Sequence, residues 1–255
     1  MSDSVLTFYD ELAEDYHLIY ADWNHAISRQ GEVLHKVIQS KLNSAPSNIS
    51  LLDCSCGIGT QAIGLAKYGY NVRATDLSPE SVRRAGHEAS SIGVQIDFGV
   101  ADFRSLDTDV PGSFDIVLSA DNAIPHLLTD EDLDKALLNI HAKLNQDGLL
   151  MFTIRDYDTL VHEKPSSTQP RVFDEGKRIV FQVWDWPEDG TTYTVNQFIV
   201  QEINGAWDTK HYKTVYRALL REELSAALHA NGFSEIKWHL PVDTGYYQPI
   251  VTAQK

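Results

Sequence analysis

The chain has few cysteines, few basic residues and no long apolar run. Its 255 residues include two cysteines, and 21 Lys and Arg stand against 36 Asp and Glu, for a formal net charge of −15. Nucleic acids and anionic membrane surfaces bind proteins mainly through Lys and Arg, so neither is expected as a partner. No stretch approaches the roughly 20 apolar residues that a membrane helix needs. We therefore expect an ordinary soluble globular protein.

The two cysteines, Cys54 and Cys56, are separated by a single residue. This spacing is geometrically unfavourable for a disulfide, and no other cysteine can serve as a partner. Acidic residues also interrupt the N-terminal stretch where a secretory signal would be apolar. A reducing, cytoplasmic setting is expected. Because no further soft ligands accompany the cysteines, no metal site is predicted.

The most informative stretch is Leu51–Thr60, which reads Leu-Leu-Asp-Cys-Ser-Cys-Gly-Ile-Gly-Thr. A buried strand is predicted to end near Asp53, Gly57 and Gly59 allow a tight turn, and helical apolar spacing resumes from Ala62. Such an order of strand, glycine loop and helix brings backbone N–H groups against a nucleotide-like ligand. The loop has no Lys and carries an acidic residue, so an uncharged nucleoside or a cation fits better than a pyrophosphate.

Strands and helices alternate through the first half of the chain, which predicts βαβ units and a parallel sheet. The predicted elements are strand 49–53, helix 60–68, strand 71–75, helix 79–91, strand 94–99, strand 114–118, helix 130–144 and strand 149–154.

Later in the chain the pattern changes to strand-like runs separated by turn signals, which predicts an inserted antiparallel sheet. These runs cover 178–186, 191–202 and 207–216. They are followed by a predicted helix 221–231 and by strands near 235–239 and 250–253, expected to complete the main sheet as an antiparallel pair.

The expected fold is therefore α/β: a Rossmann-like, doubly wound seven-stranded sheet with an N-terminal helical arm and an inserted antiparallel β cap. We expect one domain, residues 1–255. Its expected parts are a helical arm 1–44, a cofactor-binding core 45–155, a β cap 156–217 and the end of the core sheet 218–255. The aromatic residues of the arm either pack on a sheet edge or close over a ligand.

Acidic residues follow the second and third predicted strands. Asp76 lies 17 residues after Gly59 (76 − 59), where a carboxylate accepts hydrogen bonds from both ribose hydroxyls. The alternative is an N-cap for the next helix, a role that Ser78 also fills well. After the third strand, Asp102 can accept from an exocyclic amine and Phe103 can pack on a purine face. Together with the glycine loop, these residues predict a nucleoside site.

Four stretches now resemble the successive motifs of class I S-adenosylmethionine-dependent methyltransferases. They are Leu51–Thr60, Thr75–Ser78, Ala101–Phe103 and Phe114–Leu118, and the resemblance covers residues 45–155. It implies S-adenosylmethionine as the methyl donor and S-adenosylhomocysteine as the product. A dehydrogenase is the alternative use of such a fold, but Gln61-Ala62 stands where a close third glycine is preferred.

Three further stretches resemble glycine and sarcosine N-methyltransferases: Phe8–Trp23 continuing to Arg29, Ala120–Leu127 and Arg155–Asp158. The resemblances together imply a set of cofactor-binding residues, namely Tyr9, Trp23, Arg29, Asp53, Ser55, Gly57, Gly59, Asp76, Leu77, Asp102, Phe103 and Ala120. They imply substrate binding by Asn122, Arg155, Tyr157 and Tyr193.

The chemistry of these residues agrees with an amino-acid acceptor. Arg155 can hold a carboxylate bidentately, and Asn122 offers both a donor and an acceptor. Methyl transfer to an amine needs a neutral lone pair, alignment and exclusion of water more than a strong base, so no acid/base dyad is expected. His126 is either a proton acceptor or a structural histidine. Arg155 could instead form a structural ion pair with Asp156 or Asp158.

Two positions depart from the family pattern: Asp156 stands where the family has Asn, and Phe198 aligns roughly with a substrate-binding tyrosine, although Tyr193 is near. The expected function is methylation of a small molecule, an amine with a carboxylate, at the nitrogen of a glycine- or sarcosine-like amino acid. Alternatives are O- or C-methylation of another metabolite, or non-catalytic binding of S-adenosylmethionine. Assembly into a homo-oligomer stays open.

Overall fold

A computed structural model describes residues 3–188 and 190–255 of the chain. Its strands form two sheets. In chain order they are β1 (Ser50–Asp53), β2 (Asn71–Asp76), β3 (Asp97–Val100), β4 (Phe114–Ser119), β5 (Leu144–Thr153), β6 (Arg171–Phe173), β7 (Arg178–Asp185), β8 (Thr192–Ile203), β9 (Ala206–Arg217), β10 (Ser234–His239) and β11 (Ile250–Gln254).

The helices alternate with the strands of the main sheet and also precede it. They are α1 (Asp3–Leu12), α2 (Trp23–Gln39), α3 (Thr60–Lys67), α4 (Pro79–Ile92), α5 (Leu106–Asp109), α6 (Asp130–Lys143), α7 (Tyr157–Glu163), α8 (Arg221–Ala230) and α9 (Pro241–Thr244). In the described part of the chain, none of them combines the length and apolar character needed to cross a bilayer.

The main sheet has seven strands in the order β10-β11-β5-β4-β1-β2-β3. Strands β1 to β5 are parallel, whereas β11 runs antiparallel to β5 and β10 antiparallel to β11. The predicted seven-stranded, Rossmann-like α/β fold is confirmed, including the antiparallel final pair. Because the parallel strands share a direction, the loops that follow β1, β2 and β4 meet at one edge.

Helices cover both faces of the sheet. Successive residues of a strand point to opposite faces: Leu51 lies in a buried cluster with residues of α2 and α3, and Leu52 in a cluster with residues of α6 and α8. The central strands are therefore buried on both sides, as their continuous apolar sequences require.

The second sheet has the antiparallel order β6-β7-β8-β9. Three of its strands match the predicted cap, but the prediction missed β6, because three residues are too few to give an alternating pattern. The sheet packs against the arm: Phe8 and Leu12 of α1 share a buried cluster with Val180 and Ile199. Asp15 reinforces this contact by pairing with Lys210 at 2.7 Å. Helix α1 of the arm thus packs on the face of the cap, whereas α2 covers a face of the main sheet.

Other differences from the predicted elements have local causes. The predicted helical arm is not continuous, because a new helix, α2, begins after Asp22. The Asp22 side chain caps α2 by accepting a hydrogen bond from the His25 N–H at 3.0 Å. Strand β3 starts at Asp97 and not at residue 94, because Gly93 ends α4 with a left-handed φ of 78° and the Val94 N–H still bonds to Ala89. Strand β5 starts five residues before the predicted residue 149, with an irregular pairing to β4.

Helices α2 and α3 cross where two glycines meet. A Cβ on Gly31 would lie 2.8 Å from the backbone carbon of Gly64, and a Cβ on Gly64 would lie 2.7 Å from the Ile27 carbonyl oxygen. Neither distance is compatible with a real Cβ contact unless the backbone shifts. Since α3 begins at the glycine loop, this close crossing also fixes where that loop lies.

We expect Gly64→Ala to lower the free energy of unfolding by about 1–3 kcal/mol, because overpacking outweighs the better helix propensity of Ala. Gly86 in α4 is a matched control, since its Cβ would meet only Phe98 at 3.9 Å. Gly86→Ala should raise the stability by about 0.5–1 kcal/mol. Urea unfolding of both variants measures this, and equal effects at the two positions would contradict the role assigned to the crossing.

Candidate active site

Two connected cavities lie at the edge where β1, β2 and β4 end. The first, here called the edge cleft, lies over the glycine loop and is bounded by Leu77, Ala101, Phe103, Ala120 and, from the arm, Tyr9 and Tyr16. The second, here called the cap chamber, lies between the arm, the cap sheet and the end of β5. Their empty volumes are about 600 and 2360 Å³ with their open mouths included.

The glycine loop has the conformation that its sequence predicts. Gly57 and Gly59 have φ values of 52° and 93°, in the left-handed region that favours glycine. A Cβ at Gly57 would meet no atom within 4 Å, so this position faces the open cleft. Gly59 instead packs inward against Ile63 and caps α3, outside the cleft lining.

Asp76 is held at the end of β2 by two backbone donors. Its Oδ2 accepts from the Gly57 N–H at 2.8 Å and its Oδ1 from the Ser78 N–H at 2.9 Å. Burial raises the pKa of this carboxyl, and the two N–H groups act against that shift. The N-cap of α4 is Ser78, whose hydroxyl accepts from Ser81. The Asp76 side chain therefore lines the cleft, and the helix does not need it as a cap.

Asp53 lies beneath the loop, outside the cleft lining, and is fully buried. Its Oδ1 accepts from the Ser55 N–H at 3.2 Å, while its Oδ2 has no hydrogen-bond partner among the residues that the structure describes. Burial raises its pKa to about 7. The residue is therefore a buried acid with one unsatisfied oxygen directly under the glycine loop.

The structure brings seven of the predicted cofactor residues to the cleft lining: Tyr9, Ser55, Gly57, Asp76, Leu77, Phe103 and Ala120. It places others elsewhere. Asp102 turns away and pairs with Arg104 at 2.7 Å. The Trp23 indole lies behind the loop and donates to Thr60 Oγ1 at 2.9 Å. Arg29 lines the cap chamber, and its guanidinium donates a hydrogen bond to the Gly245 carbonyl.

His126 is buried at the boundary of the edge cleft, with its Nε2 2.8 Å from the Tyr9 hydroxyl. Burial, together with the charge of Arg155, lowers its pKa to about 3. The imidazole is therefore neutral across the physiological range and is a very weak base. This environment favours the structural alternative for His126 over the proton acceptor.

Arg155 lines the cap chamber and has no ionic partner in the part of the chain that the structure describes. Its guanidinium donates to the Tyr193 hydroxyl at 2.7 Å and to Gln182 at 3.3 Å, and it lies over the rings of Trp184 and Tyr216 at 4.9 and 5.1 Å.

Among residues 3–188 and 190–255, no carboxylate lies within 4.0 Å of the Arg155 guanidinium. Asp156 and Asp158 pair with Arg221 instead, at 3.5 and 2.9 Å. The alternative of a structural ion pair between Arg155 and either aspartate is therefore wrong.

Asn122, Tyr157 and Tyr193 form a buried network behind Arg155. Asn122 Oδ1 accepts from the backbone N–H of Arg155 and from the Tyr157 hydroxyl, both at 3.0 Å. The Tyr157 and Tyr193 hydroxyls lie 3.1 Å apart. None of the three lines either cavity, so in this structure they orient the arginine. Phe198 lies on the other face of β8 from Tyr193, stacked on Phe181.

Sequence reasoning missed Asp121, Gln182, Trp184 and Tyr216. Asp121 lines both cavities, as do Tyr9 and Tyr16, so the cleft and the chamber join at these three residues. Alternation along β7 and β8 could have grouped the cap residues by face. It could not have indicated which face of the cap meets Arg155.

Several residues of the cleft lining could each ligate a metal, but they are not grouped to do so. The described residues contain no group of three or more His, Cys, Asp or Glu side chains arranged to hold an ion. Cys54 and Cys56 are free, buried thiols. Burial raises the pKa of both thiols well above its usual value, so neither is a reactive thiolate.

Comparison with known proteins agrees with this geometry. Residues 51–148 match a family model described as a methyltransferase domain. A glycine/sarcosine N-methyltransferase of Parasynechococcus marenigrum (strain WH8102) is 31% identical over 140 residues, 55% of this chain and 48% of the relative. A 2-methyl-6-phytyl-1,4-hydroquinone methyltransferase of Synechocystis sp. (strain PCC 6803) is 36% identical over 155 residues, 54% of this chain and 48% of the relative.

The fold is also that of solved methyltransferase structures. An S-adenosylmethionine-bound amino pentose methyltransferase from Micromonospora echinaspora superposes with a TM-score of 0.70 at 19% identity, over 89% of this chain and 91% of the other. At this identity the likeness concerns the fold alone. The chain spans about half the length of the first curated relative that it matches, 48%.

The buried acid Asp53 makes stability depend on pH. Its folded pKa of about 7 lies above the value of about 3.9 for an unfolded chain, so the folded state keeps a proton that the unfolded state loses. Its contribution is thus greatest below pH 4 and is lost as the pH rises to 7. We expect the difference in unfolding free energy between Asp53→Asn and wild type to shift by about 3 kcal/mol in favour of the variant as the pH rises from 5 to 8. Urea unfolding at a series of pH values measures this difference.

Asp115 provides a control of opposite sign. Burial raises the pKa of this carboxyl, but hydrogen bonds from Ser50 and Asn145 outweigh burial, and the pKa lies below its ordinary value. Its contribution is complete above pH 5 and is lost only on further acidification. Asp115→Asn should therefore differ from wild type by a constant amount over the same range. A flat difference for Asp53→Asn as well would refute the raised pKa.

Proposed function

Since the chain carries a methyltransferase domain of the S-adenosylmethionine-dependent family, we propose that it methylates the nitrogen of a small amino acid of the glycine or sarcosine type. The observation that carries the choice of acceptor is the Arg155 guanidinium, which faces the cap chamber without a carboxylate partner in the described chain. An acceptor carboxylate would supply the missing charge.

The edge cleft fits the methyl donor. No Lys or Arg belongs to its described lining, whereas Asp76 and Asp121 do, which suits a cationic sulfonium better than a phosphate. The open position at Gly57 leaves room for the methionine part, Asp76 would hold the ribose, and Ala101 and Phe103 would contact the adenine. When bound, S-adenosylmethionine supplies an electrophilic methyl group on its sulfur.

The cap chamber would supply the acceptor side of the reaction. Arg155 can hold a carboxylate bidentately, and Tyr193, Gln182 and Trp184 keep its guanidinium in place. The acceptor nitrogen needs a free lone pair. With the donor bound, that lone pair would form a bond to the methyl carbon as the carbon–sulfur bond broke with its electrons left on sulfur, and the surplus proton on nitrogen would leave to water. The arm and the cap would contribute by aligning the acceptor with the methyl group and by excluding water.

We expect Asp76→Asn to weaken binding of both S-adenosylmethionine and S-adenosylhomocysteine by roughly 10- to 100-fold, measured by titration calorimetry. The amide oxygen can still accept from the Gly57 N–H, but the amide NH2 replaces the oxygen that accepts from Ser78, and the charge that strengthens hydrogen bonds from the ribose is lost.

Asp97→Asn is the matched control for Asp76→Asn. Asp97 begins the neighbouring strand β3 and pairs with Arg73 on the surface, away from the cleft lining. It should change neither affinity by more than about twofold, because an exposed ion pair contributes little. Unchanged affinity in Asp76→Asn would remove the assignment of the ribose site.

Arg155→Ala should raise the acceptor KM by roughly 100-fold, since the acceptor carboxylate loses a desolvated partner, while the dissociation constant of S-adenosylhomocysteine stays within about threefold. Arg155→Lys should be intermediate, because an ammonium cannot form the bidentate pair. Steady-state kinetics on the best amino acid of a panel provide the measurement.

Arg171 lines the same chamber from the exposed strand β6 and lies 5.8 Å over Phe173. Arg171→Ala tests whether any positive charge in the chamber suffices, and we expect an acceptor KM within about threefold of wild type. Equal kinetics in Arg155→Ala and wild type would end the carboxylate assignment.

One observation favours a second candidate. The cap chamber is far larger than glycine needs and is rich in aromatic side chains, and one relative is named as a hydroquinone methyltransferase. The panel should therefore include larger amines and phenols beside glycine and sarcosine, with labelled S-adenosylmethionine and mass spectrometry of the products. Transfer to a phenol alone would replace the amine proposal, and binding without transfer to any compound would support a non-catalytic role.

A further inference from the structure

Asp121 is a carboxylate at the junction of the two cavities that is surrounded by neutral donors. Its Oδ2 accepts from the hydroxyls of Tyr16 at 2.9 Å and Tyr20 at 3.2 Å. Its Oδ1 accepts from the Tyr247 hydroxyl at 2.6 Å and has a longer contact of 3.5 Å with Gln248. The backbone at Asp121 is left-handed, with φ of 56°, and its N–H donates to Thr153.

This carboxylate has no positive partner in the described chain. No Lys, Arg or His nitrogen among residues 3–188 and 190–255 lies within 4.0 Å of it, although it lines the chamber that also holds Arg155. Asp22, Asp156, Arg29 and Arg171 also line the chamber, but Asp121 and Arg155 are a carboxylate and a guanidinium that do not pair with each other and that tyrosine hydroxyls hold in place. A ligand with a positive and a negative end would complement both groups.

We propose that Asp121 binds the ammonium group of the arriving acceptor and so makes the enzyme select a zwitterion, with Arg155 holding the carboxylate at the other end. The ammonium then loses one proton to water, so that the nitrogen that reacts is the neutral amine. This inference rests on the proposed function and deepens it. The place of Asp121 supports it, because among the described residues Tyr9, Tyr16 and Asp121 alone line both cavities. An amine at Asp121 lies where the acceptor side meets the donor side.

The tyrosines around Asp121 stay hydrogen-bond donors. Burial, followed by the charge of Asp121, raises the pKa of Tyr16, Tyr20 and Tyr247 well above its usual value. Their protonated hydroxyls stabilise the carboxylate without cancelling its charge. The negative charge thus remains available to a cation that enters the chamber.

The test compares wild type with Asp121→Asn, a variant of nearly the same shape. Asn tolerates the left-handed backbone, and its one carbonyl oxygen can still accept from Tyr16 and Tyr20. The amide NH2 then replaces the oxygen that accepts from Tyr247, so the charge and that one hydrogen bond are lost. With the amino acid that wild type methylates best, the acceptor KM should rise roughly 10- to 100-fold. Calorimetry should show S-adenosylhomocysteine binding within about threefold of wild type.

Analogues of that amino acid identify the group that Asp121 contacts. The protein saturated with S-adenosylhomocysteine is titrated with glycine, methylamine and acetate. Relative to wild type, Asp121→Asn should weaken binding of glycine and methylamine but leave acetate unchanged or tighter. Arg155→Ala should weaken glycine and acetate but not methylamine.

A purely structural role, in which Asp121 anchors the arm through its tyrosines, is tested with Tyr20→Phe and Tyr247→Phe. Each removes one hydrogen bond to the carboxylate and keeps its charge. We expect an acceptor KM within about threefold of wild type in both. If these variants raise KM as much as Asp121→Asn does, Asp121 is a structural anchor and the inference is overturned.

Two failures can be told apart. Wild type that transfers methyl groups to no amine refutes the proposed function and this inference with it. Wild type that methylates an amino acid, with Asp121→Asn matching it in KM and in methylamine binding, refutes only the role of Asp121.

Discussion

The common direction of the parallel strands is the constraint on which the whole site depends. Strands β1, β2 and β4 end at one edge, so Gly57, Asp76 and Asp121 meet there although the chain separates them by up to 64 residues. The Gly57–Asp76 hydrogen bond is possible only because β1 and β2 are neighbours in register. The close glycine crossing of α2 on α3 keeps the helix that starts at this loop in its place.

The arm and the cap convert that open edge into two cavities. α1 packs on the cap sheet through Phe8 and Leu12, so arm and cap form one apolar unit above the sheet. The hydrogen bond from Tyr16 to Asp121 ties this unit back to the loop after β4. The boundary between cleft and chamber therefore consists of tyrosine hydroxyls and one carboxylate. A purely apolar boundary would offer a ligand no polar group to bind.

Sequence reasoning succeeded where the determining residues are neighbours in the chain. The glycine loop, the strand before it and Asp76 are local patterns, and the seven-stranded sheet followed from their alternation. It could not foresee side-chain positions that depend on a competing or distant partner: Asp102 pairs with Arg104, two residues on, outside the cleft lining, and the Trp23 indole donates to Thr60 behind the loop. Likewise, nothing near Asp121 in the sequence indicates that tyrosines from residues 16, 20 and 247 surround it.

The chamber keeps the charges of Arg155 and Asp121 apart by giving each a set of neutral partners. A guanidinium and a carboxylate in contact would largely cancel, and a ligand would have to break that pair before it could bind. Here Arg155 rests on Tyr193 and the faces of Trp184 and Tyr216, and Asp121 on tyrosine hydroxyls, so neither charge is neutralised within the described chain. Aromatic residues serve this purpose well, because their rings exclude water while their hydroxyls and faces stabilise both signs of charge. The many aromatic residues of the arm and the cap thus stabilise buried charges as well as pack the interior.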